Sequence, residues 1–176
     1  LLPPGLEGSI STLPLGWGKP APGEDWLRRA AARMHKVAHR LEQLEHETGR
    51  LIYLCLEPEP GCVIDRSEDV ASFFEQYLLP GEDQDRVLRY LRVCHDICHA
   101  AVMFENQRQA VERYRQIGVR IGKVQVSSAV VLPIARISES RQATAIDQLR
   151  QFAEDRYLHQ TTLREPCAEN VQFYAD

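Results

Sequence analysis

Six polar side chains stand just past apolar, β-prone segments: Glu57 and Glu59, Asp96 and His99, Gln125, and His159. In a parallel α/β protein the carboxyl ends of the strands are where chemistry collects, so position singles these residues out. Asp96 and His99 form an Asp-x-x-His pair that follows a strand candidate. A carboxylate and an imidazole on one loop can both face a hard or borderline divalent ion. Each also has a plainer reading. Glu57 and Glu59 could cap loops or pair with Arg66, Asp96 could cap a turn, and His99 could be a packed imidazole. Gln125 shares strand parity with Ile121 and Lys123 and is expected to face inward, as metal contact or as part of a polar layer. His35 and His39 are four apart on a helix, but no acid stands between them and a solvated surface is the stronger reading. His46 suits the negative end of that helix.

The elements that must carry these residues alternate. Gly8-Ser-Ile-Ser-Thr-Leu13 reads as a strand, followed by a Pro/Gly-rich loop to Gly23. Leu27, Ala31, Met34, Ala38, Leu41 and Leu44 recur at helical steps, with Glu24 and Asp25 at the positive end and Gly49 as the stop. Leu51–Leu56 is apolar on both parities, as a strand buried on two faces should be. Asp65-Arg-Ser67 opens a helix with Val70, Phe73, Phe74, Tyr77 and Leu78; a short second helix holds Val87, Leu88 and Leu91. Val93–Ile97 is the next strand, Glu105–Ile117 a helix, Val119–Val126 a strand and Glu139–Phe152 a helix. Tyr157-Leu-His159 would begin a fifth strand.

Such regular alternation predicts right-handed βαβ units and a parallel sheet. The expected fold is α/β with a parallel (β/α) arrangement. No Gly-x-Gly-x-x-Gly or Walker A loop occurs, which removes support for a dinucleotide site or P-loop. A closed (β/α)₈ barrel takes roughly 250 residues. At 176 residues the chain is read as a single domain covering a little more than half of one. The 25 acidic against 21 basic side chains argue against a nucleic-acid partner. No apolar run approaches the ~20 residues of a membrane span. The chain opens without a secretory pattern. Five scattered cysteines with no Cys-x-x-Cys pair point to a reducing, cytoplasmic compartment, with Cys94 and Cys98 as small core residues.

Glu57 after an apolar strand, Asp96-Ile-Cys-His-Ala-Ala-Val-Met-Phe-Glu105 after the next, and a strand ending Gln125-Val-Ser-Ser together resemble the xylose-isomerase-like barrel superfamily. That group includes sugar isomerases, epimerases and abasic-site nucleases of the endonuclease IV class. Leu54-Cys-Leu-Glu-Pro-Glu-Pro-Gly61, Cys94–Glu105, Lys123-Val-Gln-Val-Ser-Ser128, Tyr157-Leu-His-Gln160 and Gly8–Gly16 are more narrowly similar to the metabolite traffic protein EboE family.

The resemblance implies a partial TIM-type barrel, about strands 4 to 7 or 8, with the early strands and the final one or two outside this sequence. It makes Glu57 a metal carboxylate, Asp96 a second carboxylate ligand and His99 its imidazole neighbour, with Glu57 or a carboxylate from a strand outside this sequence moving the proton. The metal would be divalent: Zn, Mn or Mg. Gln125 stands where the superfamily usually has histidine, and His159 and Glu59 are further candidate contacts of substrate or metal. The function implied is a metal-dependent isomerase or epimerase of a small sugar or polyol derivative. The alternatives are a non-catalytic role in moving a metabolite precursor toward export, which the glutamine favours, and, with least support, an abasic-site nuclease.

Overall fold

The computed structural model describes residues 2, 3, 5–153, 160–165 and 171–175. Four parallel strands lie in the order β1 (Gly8–Thr12), β2 (Ile52–Leu56), β3 (Leu91–Asp96) and β4 (Ile121–Gln125). The sheet curls into half of a barrel. On its inner side the Lys123 ammonium of one edge strand donates to Ser11 Oγ of the other at 2.8 Å.

Outside the curl pack α1 (Glu24–Thr48), α2 (Ser67–Phe73) with a continuing π turn at Phe74–Leu78, and α3 (Gln84–Tyr90). The apolar stripe of α1 turns Ala31, Ala38 and Leu41 into a core with Leu56, Leu91, Val93, Phe73, Phe74 and Tyr114. At the end of α1, Gly49 takes the left-handed conformation (φ 67°) and its N–H closes the helix on Glu45 O. The inner face of the same strands holds a smaller cluster of Tyr53, Cys55 and Cys94. Burial on both faces is why β2 reads as apolar on both parities.

Two short helices connect β3 to β4: α4 (Ile97–Val102) and α5 (Gln107–Gln116). Beyond β4 comes α6 (Glu139–Arg150). The hairpin β5 (Gln160–Arg164) and β6 (Val171–Ala175) then forms a separate antiparallel sheet. Among the described residues no helix is long and apolar enough to cross a membrane.

Four details correct the sequence reading. Leu91 is the first residue of β3, pairing with Leu54, and not the end of a helix. A side chain buried in either setting carries no periodicity to tell them apart. Ile97 opens α4, so Asp96 ends a strand while His99 sits in the first turn of a helix, and they do not share a loop. The expected fifth parallel strand is absent among the described residues. Gln160–Arg164 is paired antiparallel instead, and Tyr157-Leu-His159 lies outside the described residues.

The fourth correction concerns parity. A register shift between Val93 and Cys94 sets Val93 against Ile121 but Cys94 against Lys123. Ile121 therefore packs into the outer core, while Lys123 and Gln125 face inward. Gly122 fills the irregularity: a Cβ there would lie 2.5 Å from Tyr53 Cε2 and 2.7 Å from Cys55 Sγ. Gly122→Ala should therefore cost about 1–3 kcal/mol by overpacking, measurable in urea denaturation.

Candidate metal centre

Parallel pairing brings the carboxyl ends of β2, β3 and β4 side by side. Glu57 is the first residue past β2, and Asp96 and Gln125 are register partners that end β3 and β4. One ligand atom from each of Glu57, Asp96 and His99 lies within 4.8 Å of the others, the arrangement of a group that could hold a metal ion. His99 Nδ1 stands 3.4 Å from Glu57 Oε1 and 3.1 Å from Pro58 O. A proton on Nδ1 would be donated to that carbonyl and leave the lone pair on Nε2.

Asp96 does two jobs. Its Oδ1 accepts the His99 backbone N–H at 2.9 Å and caps α4, which fixes the histidine relative to the carboxylate. Its Oδ2 accepts from Gln125 Nε2 at 3.0 Å. The same amide donates to Glu57 Oε1 at 2.5 Å. Asp96 is buried, and the side chains of Glu57 and His99 are 16% and 21% exposed. Burial raises the Glu57 carboxyl above the usual range. The His99 imidazole opposes that, Asp96 adds to it, and a hydrogen bond from Cys94 opposes it. A carboxylate in a dry, partly negative setting holds a proton, or a cation, more readily than one in water.

Glu59 does not join this group among the described residues. Gln160 Nε2 of β5 holds its Oε1 at 2.8 Å and ties the loop after β2 to the hairpin. Arg66 pairs with Asp65 at 3.9 Å, so the Glu57–Arg66 pairing is not made. His39 is on the α1 surface beside Glu42 and Gln43. His159 lies outside the described residues. Cys94 is buried on the inner face beside Tyr53 and Cys55, and burial, with Glu57 nearby, pushes its thiol up to about 12. Its spacing of two from Asp96 on one strand was the signal that it shares the inner face.

The loop that carries Glu57 and Glu59 continues to Asp65, which lines an open cavity of about 450 Å³ with Lys19, Gly61, Cys62 and Tyr174. Burial first, then neighbouring Asp69 and Glu105, push the Asp65 carboxyl up to about 7, while Arg66 pulls it down. The native state therefore binds a proton that the unfolded chain has released. That contribution is whole below the ordinary carboxylate pKa and is lost as pH rises toward 7. With the side chain 31% exposed, solvent screens much of the effect. Asp65→Asn, which cannot ionise, should gain about 1–2 kcal/mol over the parent at pH 8 and little at pH 4. Urea midpoints at the two pH values measure this, and parallel shifts at both would contradict it.

No family model and no curated protein matches the sequence. Among solved structures, the chain is similar to 3-keto-D-glucoside 4-epimerase from E. coli in its apo form, with a TM-score of 0.44 and 17% identity. The match covers 81% of this chain and 51% of the epimerase, so the chain spans about half the length of that enzyme.

Proposed function

We propose that this chain is part of a xylose-isomerase-like (β/α) barrel in which Glu57, Asp96 and His99 hold one divalent ion and serve the isomerisation or epimerisation of a sugar or polyol derivative. The observation that carries the reading is their convergence within 4.8 Å at the carboxyl ends of neighbouring parallel strands. The donors fit such an ion: carboxylate oxygens and an imidazole nitrogen, partly withdrawn from water. When bound, the ion would supply Lewis acidity toward adjacent substrate oxygens.

The rest of the work falls to the side chains. Glu57 accepts a proton from a carbon beside a carbonyl and returns it to one face or to the neighbouring carbon. The Gln125 amide holds its carboxylate in place. The Asp96 cap and the Pro58 carbonyl fix His99. A second reading, a binding role in metabolite traffic without turnover, is favoured by Gln125, whose amide group bonds both carboxylates and is a weaker metal ligand than an imidazole.

Asp96→Asn tests the metal centre. Asparagine keeps the cap acceptor for the His99 N–H, so α4 should form as before. The ligand charge is lost, and divalent-ion affinity measured by calorimetry should fall at least tenfold, about 1.4 kcal/mol. Unchanged affinity would remove the basis of the reading.

A further inference from the structure

Lys123 brings a positive charge to the inner face of the sheet, one layer below the candidate metal centre. It lies two residues before Gln125 on β4, a depth of about 6–7 Å along the strand. Cys94 is its register partner, as Cys55 is that of Ser11. Its ammonium has three donors, and the partner described for it is the neutral hydroxyl of Ser11 at 2.8 Å. Among the described residues no carboxylate pairs with it. Burial pushes the Cys55 thiol up to about 11 and that of Cys94 to about 12, so neither sulfur neutralises it. The other inward cation is matched: Arg92 Nη1 donates to Glu7 Oε2 at 3.0 Å, with the guanidinium over the Tyr53 ring. A divalent ion held by Glu57 and Asp96 would balance the charges of both, and the Gln125 amide adds none. Glu59 turns to Gln160 of the hairpin. Lys123 is then the uncompensated charge on the inner face, among the described residues.

We infer that the substrate is an acid sugar, whose single carboxylate reaches down the inner face to the Lys123 ammonium while its adjacent oxygens face the ion. This rests on the metal reading above and deepens it by naming the substrate class. One carboxylate matches one residual charge, whereas a phosphate monoester brings close to two. An ammonium is a compact charge on a flexible stem, so it can turn from Ser11 to an anion without moving the strand. The Ser11 hydroxyl, itself a donor, can then serve the same carboxylate. Lys123 is half-buried, and a pairing partly withdrawn from water counts for more than one in bulk solvent.

The test measures, by calorimetry on the Mn²⁺-loaded protein and on Lys123→Met, a panel of hexuronates, each beside its neutral hexose and the hexose 6-phosphate. Methionine keeps much of the apolar stem and removes the charge, and circular dichroism controls for folding. The parent should bind at least one hexuronate about tenfold or more tightly than its hexose, the scale of one charge-assisted hydrogen bond, and more tightly than the phosphate ester. Lys123→Met should bring hexuronate and hexose within twofold of each other and leave Mn²⁺ affinity unchanged. In the parent, that hexuronate should also slow reductive methylation of Lys123 at least fivefold, read by mass spectrometry of its peptide, and the hexose should not. This second readout decides the matter where the variant does not fold. A preference kept in Lys123→Met, a Lys123 left unprotected, tighter binding of the phosphate ester, or no hexuronate bound would each overturn the inference and leave the metal reading standing. A parent protein that binds no Mn²⁺ would overturn both.

Discussion

Glu57→Gln is expected to slow exchange of the carbon-bound proton of a ketohexose with deuterium oxide by 10² to 10⁴, the range for loss of a positioned general base. Glutamine matches glutamate in shape and keeps a carbonyl oxygen for an ion, so saturating Mn²⁺ should still occupy the site. What it loses is the ability to take a proton. The Gln125 amide, which now donates to Glu57 Oε1 at 2.5 Å, retains an acceptor in the new side chain. Nuclear magnetic resonance of a ketohexose panel, run at saturating Mn²⁺, separates chemistry from occupancy. Exchange in the variant at the parent rate would assign the proton to another group.

Phe74→Ala should be among the most damaging single changes to stability. Phe74 is fully buried at the start of the π turn, in the cluster that joins α1, α2 and the outer face of the sheet. Truncating a buried phenylalanine leaves a cavity that the neighbours fill only in part, at a cost of about 3–5 kcal/mol. For a domain of this size that is a fall in melting temperature on the order of 10 °C. A loss below about 1 kcal/mol would mean that this part of the core is not packed as described.

The two predictions draw on parts of the molecule that were unequally legible. The stripe from Leu27 to Leu44 and the Gly49 stop made α1 readable, because one face of a long helix must be apolar and its end must release its carbonyls. The ends of β2 and β3 were readable because parallel strands put their polar residues where the apolar run stops. The neighbour relation of Glu57 and Asp96 then followed from short connections.

What was not legible depends on pairing between distant segments. The irregularity at Gly122 moves Ile121 to the outer core and keeps Lys123 and Gln125 inside; a strict alternation of faces cannot show that. The capping role of Asp96 is a local signal, aspartate three residues ahead of a helical N–H, and it is the plainer of the two readings that the sequence supports. Ligand geometry and cap coexist because a carboxylate has two oxygens. The β5–β6 hairpin escaped because Gln160–Arg164 is polar and short, and the five residues of Val171–Ala175 are too few for their alternation to stand out.

The central claim is that Glu57, Asp96 and His99 form one metal site. Its most direct test is a crystal of the protein grown with Mn²⁺ and measured for anomalous scattering. The account predicts a single strong peak at roughly 2.0–2.2 Å from a carboxylate oxygen of Glu57, one of Asp96 and a ring nitrogen of His99. A map with no peak there at saturating Mn²⁺, or with the ion held elsewhere, would contradict it.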